Sequence, residues 1–176
     1  EINDNIATLP VDFAGIKWQA VITSDGDQRG TLNSVTITAT SDYDAPSSNA
    51  ANIAGKRVIS GADLNTNEWT NGGSPYFSWD AATDSDSGVL GYCLYLGQTS
   101  SANPITTKGL LGSSPISTDS HCQFIIGTNH INLADSGLLG SPLTTSNSAY
   151  YLNIKAIDRA GNVYSTSQSF HFRFDN

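Results

Sequence analysis

The chain has 176 residues, enough for one sizeable domain or one and a half small ones, so domain count has to come from pattern. Only 14% of residues are charged and Ser, Thr, Gly and Asn fill the polar positions, the balance of an extracellular β-protein rather than a cytosolic enzyme. A net charge of −8 with no Lys/Arg cluster excludes nucleic acid as a partner, and no apolar run reaches the roughly 18 residues of a membrane span.

At the N-terminus, Glu1 does not open a charged-then-apolar secretion signal, and with no methionine the sequence reads as a processed product or a piece of something longer. Ile16 to Thr23 (IKWQAVIT) and Ser34 to Thr40 (SVTITAT) are rich in β-branched and aromatic residues. The Asp-Gly turn chemistry of SDGDQRGTLN between them predicts a β-hairpin. A lone hairpin is marginal in water, so this one must lie on other strands. The Pro/Ser/Asn/Asp segment SDYDAPSSNAAN has the composition of a linker and sets a boundary near Asp44. Residues 1–43 are then the closing hairpin of a preceding β domain and 44–176 a domain of their own.

Downstream, strand-like runs alternate with turn signals: Lys56 to Ser60, Tyr76 to Asp80, Leu90 to Gly97, Cys122 to Ile126, His130 to Leu133, Tyr150 to Ile157 and Ser169 to Phe174. Short strands so punctuated predict an all-β antiparallel sandwich with very little helix. Period-two spacing puts Phe77 and Trp79 on one face of their strand. The same spacing groups Leu90, Tyr92, Leu94 and Leu96; Tyr150, Leu152, Ile154 and Ala156; and Phe170, Phe172 and Phe174. Asn153, Lys155, His171 and Arg173 fall on the opposite, polar faces. Two features stand apart from this pattern. QTSSANPITTKGLLGSSPISTDSH is a long connection of the kind that is functional or hides an extra hairpin, and its GLLGSSP at Gly109 recurs as GLLGSP at Gly137, each read as a turn.

SPYFSWDAATDSDSGVLGYCLYLG followed by AYYLNIKAIDRAGNVYSTSQSFHFRF resembles the fibronectin type III-like or bacterial Ig-like modules strung along large bacterial surface proteins. Those modules carry a Trp on the second strand, an Asp/Ser/Gly loop, a GY-x-hydrophobic third strand and a closing Y-x-L-x-V-x-A-x-D-x-AGN. Here that last pattern is Tyr150, Leu152, Ile154, Ala156, Asp158, Ala160, Gly161 and Asn162. The resemblance implies a non-catalytic structural or adhesion module, extracellular or at a cell surface, whose partners are neighbouring domains or copies of itself. It also makes the strands of Cys93 and Cys122 neighbours. Two cysteines and His121 make at most a partial zinc set, and a disulfide is the more economical reading in an exported chain.

No nucleophile elbow, HExxH or P-loop appears, and His121, His130 and His171 read as structural or solvent-facing, so no enzyme is expected. Asp80, Asp84 and Asp86 have the oxygen chemistry of a Ca2+ site but not the order of an EF-hand loop. Taken alone they are turn residues, with Gly88 in a conformation other residues resist. In the type III-like arrangement, however, three stretches converge at one end of the sandwich: the linker with Asp42 and Asp44, this loop, and the DRAGN turn with Asp158 and Asn162. Crowded carboxylates repel unless a cation sits among them, so one reading is a Ca2+ ion that stiffens the junction; the plainer alternative is that they splay into solvent, keep it soluble and hold no cofactor. Trp18, Trp69, Tyr43, Tyr95 and Tyr151 leave open a second function, stacking on glycans. The unpartnered hairpin leaves open a third, a filament or surface-layer subunit assembling through shared β-strands.

Overall fold

The computed structural model describes Gly26 and residues 42–71, 74–115 and 122–175. The hairpin expected at Ile16 to Thr40, together with Trp18 and His121, lies outside the described residues. The chain divides into two compact units, Glu1–Asp42 and Tyr43–Asn176.

Among the described residues there is no helix, and nine strands form two sheets. They are β1 (Ala51–Lys56), β2 (Asp63–Leu64), β3 (Trp69–Thr70), β4 (Tyr76–Asp80), β5 (Val89–Gly97), β6 (Ile125–Ile126), β7 (His130–Asn132), β8 (Tyr150–Asp158) and β9 (Gln168–Phe174). One sheet runs β2-β1-β4-β7 and the other β3-β9-β8-β5-β6. All pairings are antiparallel except the short β3 alongside β9. This is the all-β sandwich that the alternation predicts.

The inward faces meet through aromatic rings. Phe77 of the first sheet lies between Phe170 (5.4 Å) and Phe172 (5.5 Å) of the second, and Trp79 meets Tyr92 edge-on at 5.3 Å. Leu94, Leu96, Leu152, Ile154 and Ile131 fill the layer between the sheets, all of them buried. Aliphatic and aromatic side chains taken from water in this way supply the main driving force of the fold.

Four sequence expectations shift. Leu90 does not join Tyr92, Leu94 and Leu96 in this core. A bulge between Val89 and Gly91 inserts one residue, so Val89 turns to the core and Leu90 to the outer face beside Cys93, Ile125 and Ile157. The first strand is Ala51–Lys56, beginning in the last two residues of the supposed linker, while RVIS at 57–60 is a tight turn closed by Gly61 N–H on the Val58 carbonyl at 2.9 Å. Pairing with β4 overrides the weak β-propensity of ANIAGK, and Val58 and Ile59 are left exposed. Asn153 is not on an open polar face: the start of the long connection covers it, and its Nδ2 donates to the carbonyls of Ser100 (3.1 Å) and Ala102 (2.8 Å).

The fourth shift concerns the two GLLG fragments. They are not separate turns but partners, since Leu111 bridges Leu139, Gly112 N–H donates to the Leu138 carbonyl (2.8 Å) and Gly140 N–H to that of Leu110 (2.8 Å). A Cβ on Gly112 would stand 2.6 Å from the Gly137 carbonyl, so the backbones approach this closely only because the position is glycine. Leu110 N–H in turn donates to the Leu96 carbonyl at 2.7 Å, which fastens the clasp to the end of β5. The disulfide Cys93–Cys122, with Cα atoms 5.5 Å apart, ties the other end of the connection back to the middle of β5.

Candidate metal centre at one end of the sandwich

The geometry of the acidic end follows from strand register. Val89 at the start of β5 pairs with Asp158 at the end of β8, which sets the 81–88 loop beside the 158–162 turn. Within the loop, Gly88 takes φ +81°, and Asp84 Oδ2 accepts the Gly88 N–H at 2.5 Å. Arg159 N–H donates to the Gly88 carbonyl at 3.0 Å and latches the turn to the loop. Asp158, fully buried, accepts from Asn162 twice, backbone N–H on Oδ1 (2.8 Å) and Nδ2 on Oδ2 (2.9 Å). The segment leading into β1 is pinned to the same end. Ser48 N–H donates to the Thr83 carbonyl (3.2 Å), Ser47 Oγ to the same carbonyl (2.9 Å), and Thr83 N–H to Ser48 Oγ (2.9 Å). The buried Asn49 then bonds β8 directly, its Oδ1 accepting Ala156 N–H at 2.8 Å.

Carboxylate oxygens of Asp42, Asp84 and Asp158 lie within 4.8 Å of one another. One comes from each of the three stretches that the sequence predicts to converge. Of the other candidates, Asn162 positions Asp158, while Asp44, Asp80 and Asp86 stand outside this cluster. Asp80, at the end of β4, accepts Asn52 Nδ2 at 2.6 Å, and Asp44 and Asp86 are exposed. A span of 4.8 Å is twice a Ca2+–oxygen bond of about 2.4 Å, so three oxygens at this spacing are able to surround one such ion. Hydrogen bonds to Asp84 and Asp158 fix the orientation of two of the three groups.

His130 stacks on Tyr76 at 5.9 Å and His171, on the outer side of β9, on Tyr151 at 5.5 Å. Among the aromatic residues offered for sugar stacking, Tyr95 is buried with its hydroxyl accepting Thr99 N–H (3.2 Å), and Tyr151 is half-buried. Tyr43 and Trp69 are exposed.

The sequence reading passed over a polar cluster at the far end. There Arg57 bonds the Trp69 carbonyl (2.5 Å) and pairs with Glu68. The Asn65 backbone N–H on the Glu68 carboxylate holds that group below its usual range, helped by the Asn65 side chain and Arg57 and opposed by desolvation. The N-T-N-E spacing of Asn65 and Glu68 was the available signal, because a Glu three residues after a turn-forming Asn can reach back to that residue's backbone N–H, as in a capping box.

Comparison with protein-family models, with curated proteins and with solved structures finds no match to this chain. The class that fold and site define is a disulfide-bonded β-sandwich with a three-carboxylate cluster at one end.

Proposed function

We propose that the chain is a non-catalytic extracellular module, structural or adhesive, built for a linear array, with Ca2+ held at its acidic end. The observation that carries this reading is the path of the backbone through the sandwich. Within the second unit, the segment before β1 is pinned at the Thr83 and Asp158 end by Ser48, whereas β9 ends at Phe174, beside Thr70 and Tyr150, at the opposite end. The nine residues of β8 separate those ends by about 26 Å at about 3.3 Å per residue. A module whose chain enters and leaves at opposite poles transmits tension along its strands and stacks end to end.

Two further features support the type III-like or Ig-like reading. The strand orders β1-β4-β7 and β9-β8-β5-β6 place neighbours as that arrangement requires. Tyr150, at the start of β8, donates its hydroxyl to the Thr144 carbonyl at 2.9 Å, the backward bond of a tyrosine corner. The disulfide supports an oxidising, extracellular setting, and no helix among the described residues is long and apolar enough to cross a membrane. Thiol labelling of the native protein, with electron microscopy of the assembly that contains it, tests the proposal. An oxidised Cys93–Cys122 pair in an extended extracellular array is expected. Two free thiols in a protein recovered from a reducing compartment would overturn it.

A further inference from the structure

The far end of the sandwich carries a feature that a spacer does not need. Trp69 is 46% exposed, whereas the buried Trp79 is 3% exposed. Its orientation is set from several sides. Backbone pairing with β9 places Trp69 opposite Arg173, and Arg57 Nη1 bonds its carbonyl at 2.5 Å. The Arg173 guanidinium lies over one face of the indole, 5.6 Å from the ring centroid. That guanidinium is itself fixed, Nε donating to Asn67 Oδ1 (3.1 Å) and Nη1 to the Asn147 carbonyl (2.9 Å). The backbone beneath the ring and the guanidinium over one of its faces are therefore both fixed before any ligand arrives, and 46% exposure leaves surface of the residue open. Preorganisation of this kind lowers the ordering cost of binding.

Beside the ring runs a shallow groove lined by Arg57, Thr70, Asn71 and Asp175 together with Trp69. It offers a guanidinium, an amide and a carboxylate next to one aromatic plane, and the charges around it, Arg57 and Arg173 against Glu68 and Asp175, cancel. A pyranose ring matches this combination. One of its faces presents a row of C–H bonds with slight positive charge, which settle on an indole face for the same electrostatic reason that cations do. Its rim presents hydroxyls that both donate and accept, and so need neighbours of both kinds. The balance of charge favours a neutral sugar over a uronate or a sulfated one.

We infer that Trp69 and its groove form a binding site for a neutral pyranose unit of a glycan. The inference does not rest on the Ca2+ site, which lies at the opposite end, and it goes beyond the structural reading by giving the module something to adhere to.

The test is titration of the full-length, isotopically labelled chain with lactose, cellobiose and methyl α-mannoside, each to about 20 mM, watching the tryptophan indole N–H signals. Trp69→Phe assigns the Trp69 signal. At least one sugar should shift that signal with a dissociation constant on the order of 1 mM, and the arm that responds separates galacto, gluco and manno configurations. Trp69→Ala should weaken the binding about tenfold or more, with the Trp79 signal unmoved as the sign of an intact core. Asn71→Ala, which leaves the ring in place, should weaken it as well. The inference is overturned by an absent shift in all three arms or by full affinity in both Ala variants. It is also overturned if the Trp69 signal moves with protein concentration in the absence of sugar, because the ring would then be covering a second copy of the chain.

Discussion

Removing the Cys93–Cys122 bridge should cost the fold a large share of its stability, and the size follows from its place in the chain. The bonded residues are 29 apart, and closing a loop of that length removes about 12 cal/mol/K from the unfolded chain, or about 3.6 kcal/mol at 25 °C. Cys93 is fully buried against Ile125 and Ile157, so Cys93→Ala leaves apolar surroundings intact but opens a small void, adding about 1 kcal/mol. The sum, about 4–5 kcal/mol, is comparable to the whole stability of a marginal domain. The assay is urea unfolding of Cys93→Ala/Cys122→Ala beside the oxidised parent. With a denaturant slope of about 2 kcal/mol/M, the midpoint should fall by about 2 M. A midpoint within about 0.3 M of the parent would refute the reasoning, since the unfolded chain would then gain nothing from losing the crosslink.

Asn49→Ala should destabilise by about 2–4 kcal/mol, because it strands the Ala156 N–H and the Thr166 carbonyl that Asn49 now bonds at 2.8 Å each; an unchanged melting curve would show that water replaces both. Gly112→Ala should cost about 1–3 kcal/mol in urea unfolding, as its Cβ would meet the Gly137 carbonyl at 2.6 Å, whereas a neutral result would mean the clasp opens freely. Glu68 gives a pH signature. Its folded pKa lies below its ordinary value near 4.5, so its contribution is present above that value and is lost as pH falls through the lower folded value. Glu68→Gln should therefore flatten the stability profile in that acid window, measured by melting between pH 5 and 3, roughly, and leave its shape above pH 6 unaltered.

The sandwich was legible wherever one face of a strand is buried and the other is not. Phe77 and Trp79, or Phe170, Phe172 and Phe174, announce themselves because alternation has only one physical cause there. It failed where backbone geometry or a covering segment breaks that rule. A bulge turned Leu90 away from its apparent partners, and the long connection buried Asn153 on a face that composition marks as wet. RVIS has strand propensity and became a turn, since nothing in a propensity tells the chain which neighbour will pair with it. The convergence of Asp42, Asp84 and Asp158 was foreseeable because their three stretches were expected at one end of a sandwich, and Asp158 closes β8 where β5 begins. The Trp69 groove was not, as its ring meets Arg173 across more than a hundred residues and β3 is only two residues long.

The central claim, a Ca2+-holding structural module, stands or falls on calorimetry of metal-stripped protein with thermal melting in parallel. Extracellular Ca2+ modules bind at about 10⁻⁴ to 10⁻³ M. At about 2 mM Ca2+ and the tighter of these values, linkage gives about 1.8 kcal/mol and a melting midpoint raised by about 5 °C. Asp84→Asn should abolish most of both the binding heat and the shift. Absence of binding heat together with an unchanged midpoint at that concentration would contradict the account and leave Asp42, Asp84 and Asp158 as turn residues that happen to meet.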